Sequence, residues 1–125
     1  MTNTAKALYT FWNGFGIPAY IENCVPDDAA MPYITYSLYE PTWNATASLT
    51  ARVWYRSTSL TGISAKVDEI AHAVGGGTQL TLDDGGFLVL FKDSPFAQYI
   101  GDESSDGMTK CFYLLFVAHV VEGQG

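Results

Sequence analysis

Hydrophobic positions change their spacing several times along this chain, and each change marks an element. Ala5, Leu8, Trp12 and Phe15 recur at three- and four-residue steps, which is one face of a helix over about Thr4 to Asn13. Thr2 or Thr4 can cap its start, and Gly14 or Gly16 ends it. Ile17–Ile21 reads as a short extended piece, and Pro18, which lacks an N–H, assigns it to a sheet edge. After the loop ENCVPDDAAMP comes a strand, Tyr33–Tyr39, rich in β-formers and stopped by Glu40-Pro41. Leu49, Ala51, Val53 and Tyr55 then alternate with Ser48, Thr50, Arg52, Trp54 and Arg56. That is a half-buried strand with a polar, Trp-bearing outer face. The two strands are expected to pair antiparallel through the Pro41–Ala47 connection.

The helical period returns with Leu60, Ile63, Val67, Ile70 and Val74. Ser57, Thr58 and Ser59 offer N-caps, and Gly75-Gly76-Gly77 stops the helix. Lys66, Asp68, Glu69 and His72 fall on its opposite, wet face. Thr78–Leu82 and Gly86–Lys92 flank the tight-turn signal Asp83-Asp84-Gly85 and predict a hairpin. Ser94–Gly107 reads as a long acidic loop with an apolar knot of Phe96, Tyr99 and Ile100. The final strand, about Met108 to Val121, is apolar on both faces, so it should be central in the sheet or covered on both sides. The order predicts one α+β domain over residues 1–125: an antiparallel sheet of four to five strands with two helices packed on one face. There is no internal repeat, low-complexity tract or domain linker.

Composition sharpens this picture in two ways. Charged residues are 15% of the 125, below the roughly 25% of an ordinary soluble protein, while there are eight Tyr, seven Phe and three Trp. So many aromatics exceed what a core of this size hides, which predicts an interface and hence an oligomer. The net charge is −7, from six bases and thirteen acids, which excludes a free-standing nucleic-acid binder but suits a surface that lets DNA slide past. No apolar run is long enough for a membrane span, and none follows Met1-Thr-Asn-Thr-Ala-Lys as in a signal peptide. The cytosol is therefore the expected compartment, with Cys24 and Cys111 reduced.

Site chemistry is sparse. Asp102, Ser104, Asp106 and Gly107 match the first half of a calcium-binding EF-hand loop, but Tyr113 stands where the bidentate Glu belongs, and a strand follows. His72 follows Asp68 by one helical turn as an ordinary surface pair, and two distant histidines with two distant cysteines make no zinc spacing. No nucleophile signature is present, and Gly75–Gly77 lacks the Lys of a phosphate loop. Asp27-Asp28 and Asp83-Asp84 sit in turns, which favour Asp for backbone reasons. The expectation is no catalysis, no cofactor and no metal.

Three phrases carry a resemblance: IPAYIENCVPDDAAMPYITYSL, VWYRSTSLTGISAKVDEIAHAV and DDGGFLVLFKDSPFAQYIGDESSDGMTKCFYLLFVAHVV. Their order over about residues 17–121 resembles the tail terminators of long-tailed phages. These are tail-completion proteins of phage and prophage genomes, often called minor capsid proteins. The resemblance implies a structural protein of virion assembly that forms a ring, usually a hexamer. Such a ring caps the tail tube, stops its polymerisation and joins it to the head–tail connector protein, and DNA passes through without specific binding. The location implied is the host cytoplasm during assembly, then the head–tail junction of the virion. Phe96, Tyr99 and Ile100 would supply one interface surface and Arg52, Trp54 and Arg56 part of another, with Trp43 in the Pro41–Ala47 connection as a separate candidate contact. Asp102, Glu103 and Asp106 would face the lumen or the ring end. The alternatives are a head-completion, connector or tail tube protein, or a small intracellular ligand-binding domain.

Overall fold

The computed structural model describes residues 3–38, 46–83, 85–102 and 107–121. Helix α1 (Asn3–Trp12) runs into a 3-10 turn (Asn13–Phe15) and is followed by strands β1 (Ala19–Ile21), β2 (Tyr33–Tyr36) and β3 (Thr46–Arg56). Helix α2 (Thr61–Val74) and strands β4 (Thr78–Thr81), β5 (Phe87–Asp102) and β6 (Thr109–Val121) complete the chain. The strands form one six-stranded sheet in the order β1-β2-β3-β6-β5-β4.

The α+β class holds, and β6 is central as its two apolar faces require. The sheet has six strands where four to five were expected, the short Ala19–Ile21 piece joining it as an edge strand, and two further details differ from expectation. The sheet is mixed, because β1 lies parallel to β2 with Ala19 opposite Ile34. A tight turn would force an antiparallel pair, whereas the long Glu22–Pro32 connection carries the chain back to begin β2 beside the start of β1. The second difference is in the stretch expected to be a loop from Ser94. β5 continues through it to Asp102, paired with β6 and interrupted by register shifts between Lys92 and Ala97 and between Tyr99 and Gly101. The first shift accommodates Pro95, which cannot donate to a ladder, and β6 is long enough to pair on both sides of it.

One core gathers both helices and one face of the sheet. Ile63, Val67, Ile70 and Val74 of α2 pack with Leu49, Ala51 and Val53 of β3 and with Leu114, Phe116, Ala118 and Val120 of β6. Helix α1 touches β1 and β4, the two edge strands, so the sheet curls around the core and α1 lies across the gap. Trp12 is the pivot of this closure: its ring meets Phe116 edge-on at 5.3 Å and stacks on Tyr36 at 6.1 Å. Polar groups fasten the corners. Lys66 Nζ donates to the Phe15 carbonyl at 2.6 Å, tying the 3-10 turn to α2, and Asn13 Oδ1 accepts the Ala19 N–H at 3.1 Å. Ser59 Oγ accepts the Thr61 N–H at the start of α2, and Gly75, at φ 54°, ends the helix with its N–H on the Ala71 carbonyl. Among the described residues, no helix is long and apolar enough to cross a membrane.

Burial, reinforced by the nearby Tyr9, raises the Tyr36 phenol above its ordinary value of 10.0. A raised acid binds its proton more tightly in the folded state. The stability it contributes is therefore constant below pH 10 and is lost as pH rises from there through the folded value, at up to about 1.4 kcal/mol per pH unit. Tyr36→Phe keeps the ring against Trp12 and should flatten that part of the alkaline slope, as measured by urea unfolding between pH 9 and pH 11.

Candidate assembly surface

Strand periodicity puts Arg52, Trp54 and Arg56 on the face of β3 opposite the buried Leu49, Ala51 and Val53, and so on the side away from α2. This outer face is built with some precision at its β2–β3–β6 end. Trp54 stands opposite Tyr33 on β2 and Cys111 on β6, and its indole Nε1 donates to Thr35 Oγ1 at 3.0 Å. The Arg52 guanidinium lies over the Tyr113 ring, 5.2 Å from its centre, an arrangement that holds the cation flat against the sheet. Tyr20 and Tyr33 meet edge to face at 5.8 Å alongside. Between them opens a groove of ≈ 320 Å³ lined by Glu22, Asn23, Thr35, Arg52 and Trp54.

The other half of the outer face is apolar. Phe87, Val89 and Phe91 of β5 stand on the same side as Leu115 and Val117 of β6, since Phe91 pairs with Val117 and Leu88 and Leu90 point into the core. Phe87 and Phe91 are 37% and 41% exposed. The Phe91 ring lies over Gly77, whose φ is +138° and where an added Cβ would sit 2.7 Å from it. An aromatic ring thus covers a glycine beside the edge strand. No described helix packs on this face. Sequence reasoning singled out Arg52, Trp54 and Arg56 but passed over Tyr113, Leu115 and Val117. The signal for those three was the two-sided hydrophobicity of the last strand, here satisfied on one side only.

The β5–β6 arm divides its expected contact residues. Phe96 turns back on the chain's own core, edge-on to Phe116 at 5.3 Å, with Lys92 Nζ 5.7 Å from its centre. Tyr99 and Ile100 remain 41% and 42% exposed, the Tyr99 ring leaning on Phe112 at 5.4 Å. Asp102 pairs through its backbone with Lys110; its side chain, with Glu103, Asp106 and Trp43, lies outside the described residues. The two sets therefore do not merge into one site: Arg52, Trp54 and Arg56 stand together on the outer face, whereas Tyr99 shares the face of Phe112 and Val53, and Ile100 sits unpaired at the register shift beside it.

Among the described residues, no three His, Cys, Asp or Glu side chains gather as a metal site, and every buried side-chain N or O has a hydrogen-bond partner. Cys24 is exposed and Cys111 buried, and neither is in a disulfide. No protein-family model matches the chain, and no curated protein or solved structure is significantly similar to it.

Proposed function

We propose that this chain is a phage tail terminator: a subunit of a ring that caps the tail tube, halts its polymerisation and presents a docking surface to the head connector. One observation supports it most: a small sheet covered by helices on one face and bearing, on the other, an aromatic and arginine cluster beside an apolar patch. Such a face suits permanent contact with protein, because Trp, Tyr and Arg dominate interface energetics and contiguous apolar patches mark contact surfaces. The order of sequence phrases that resembles tail terminators supplies the biological setting. The net charge of −7 suits a ring through which DNA moves without sticking. The groove beside Arg52 lies open on the sheet and lacks the enclosure a small-molecule site needs, which favours a protein partner over a free ligand. The test is binding to tubes assembled from the tube protein of the same phage. A terminator occupies one end and stops growth, whereas a tube subunit would add along the tube's length.

A further inference from the structure

Arg52 stands apart from the other bases of a protein that has six of them and thirteen acids. Lys6 and Lys66 pair with Asp83 and Glu69, Lys110 donates to the Gly107 carbonyl, and Arg56 reaches the Met108 sulfur. Lys92 lies over the Phe96 ring at an exposed position. Arg52 is half-buried, and its guanidinium, held against Tyr113, has no ion pair and no hydrogen-bond acceptor among the described residues. Directly across the β2–β3 ladder stands Thr35, only 7% exposed. The Thr35 hydroxyl accepts the Trp54 indole N–H, so its own hydrogen is left to donate, and no acceptor for it lies among the described residues. Two unused donors thus line one groove. The turn after β1 lines it as well, closed by the Cys24 N–H on the Ile21 carbonyl at 3.0 Å, with Asn23 at φ 64°. Glu22 in this turn is exposed and makes no ion pair with Arg52.

We infer that the groove receives one carboxylate side chain of a partner protein, an Asp or Glu seated on Arg52 and Thr35, with its apolar neighbour lying across Trp54. A half-buried guanidinium has lost part of its hydration, and a carboxylate that accepts two of its N–H groups makes good the loss with a strong, charge-assisted pair. Charge narrows the occupant further. A polyanion such as nucleic acid is repelled by Glu22 and by the net charge of −7, whereas a single acid on an otherwise apolar segment meets one cation amid aromatic rings. Glu22 stays in water, where salt screens it, and with the Asn23 amide it can accept a backbone N–H beside the bound acid. The receiving groups are set in advance. The indole is fixed by its hydrogen bond to Thr35 and the guanidinium by the Tyr113 ring, so little rotamer freedom is left to lose on binding. The inference rests on reading this face as a protein contact surface; it does not require the partner to be a tail tube.

Two acetylated, amidated peptides test it, Gly-Phe-Glu-Phe-Gly and the same chain with Gln in place of Glu. Each is titrated to millimolar concentration into isotope-labelled protein and followed by nuclear magnetic resonance. The Glu peptide should shift the Trp54 indole N–H and the Arg52 side-chain N–H signals. The Gln peptide should bind about tenfold more weakly, the loss expected when a charged hydrogen-bonded pair becomes a neutral one. Added salt should weaken binding of the Glu peptide more than that of the Gln peptide. R52Q should abolish the difference between the two. R52K, which keeps the charge but not the planar fork, should narrow it, and replaces R52Q if circular dichroism shows that chain unfolded. Sodium acetate at the same concentration should leave both signals in place, because a carboxylate without its apolar flank lacks the contact with Trp54. Equal binding of the two peptides, no shift with either, or acetate acting as strongly as the Glu peptide would each overturn the proposal. Peptide recognition without tube-end capping would uphold the site and sink the terminator reading; capping without recognition would do the reverse.

Discussion

Phe116→Ala should remove about 3–5 kcal/mol of folding stability, the range for deleting a large buried aromatic. The ring is 1% exposed at the centre of β6, between Leu49 on β3 and Lys92 on β5. It joins three parts of the molecule. Trp12 brings α1 to it at 5.3 Å, Phe96 brings the far side of the β5 irregularity at 5.3 Å, and the sheet supplies its own backbone. Deletion leaves a cavity between layers whose walls are held by the strand ladders and cannot close over it. Against a total stability of about 5–15 kcal/mol for a domain of this kind, the loss should lower the melting temperature by roughly 10–20 °C. Urea unfolding measures it directly. Phe116→Leu, which keeps apolar contact and forfeits the edge-to-face pairs, should fall between the variant and the wild type. A loss under about 1 kcal/mol for the alanine variant would contradict the core described above.

Trp54→Ala combined with Arg52→Ala should have the opposite signature: assembly lost, fold kept. Neither side chain belongs to the core cluster, and the interactions removed within the chain are one indole hydrogen bond to Thr35 and one cation–ring contact with Tyr113. Folding stability should fall by no more than about 1–2 kcal/mol. Central Trp and Arg anchors each contribute about 2 kcal/mol or more to an interface, so association should weaken on the order of 30-fold or more for each. In a closed ring every contact carries that loss. Thermal unfolding and sedimentation, run on the same sample, separate the two effects. A large drop in melting temperature would mean that the cluster is a structural corner rather than a contact surface.

Much of this was legible in the sequence because the helices and the long strands announce themselves by period. The three- and four-residue steps of Ile63, Val67, Ile70 and Val74 predict the buried face of α2, and the alternation from Leu49 to Arg56 assigns Trp54 to the outer side. The parallel pairing of β1 was not legible: three residues carry no direction, and the partner is chosen by how the Glu22–Pro32 connection packs. The continuation of β5 beyond Lys92 was hidden for a local reason. Asp93, Ser94 and Pro95 carry turn chemistry, and only the long apolar partner strand β6 overrides it. The same tertiary effect turned Phe96 inward onto Phe116, away from the surface for which its loop-like neighbours recommended it. The outer patch of Leu115 and Val117 was visible as hydrophobicity but not as exposure, because a sequence does not say which face of a central strand the helices will cover.

The central claim concerns what the open face is for, and electron microscopy of labelled protein on tail tubes of its own phage tests it most directly. The account predicts label at one end of each tube only, with elongation halted once it is bound, and loss of both effects in the Trp54→Ala, Arg52→Ala chain. Label distributed along the tubes, or tubes that carry none and continue to grow, would contradict it.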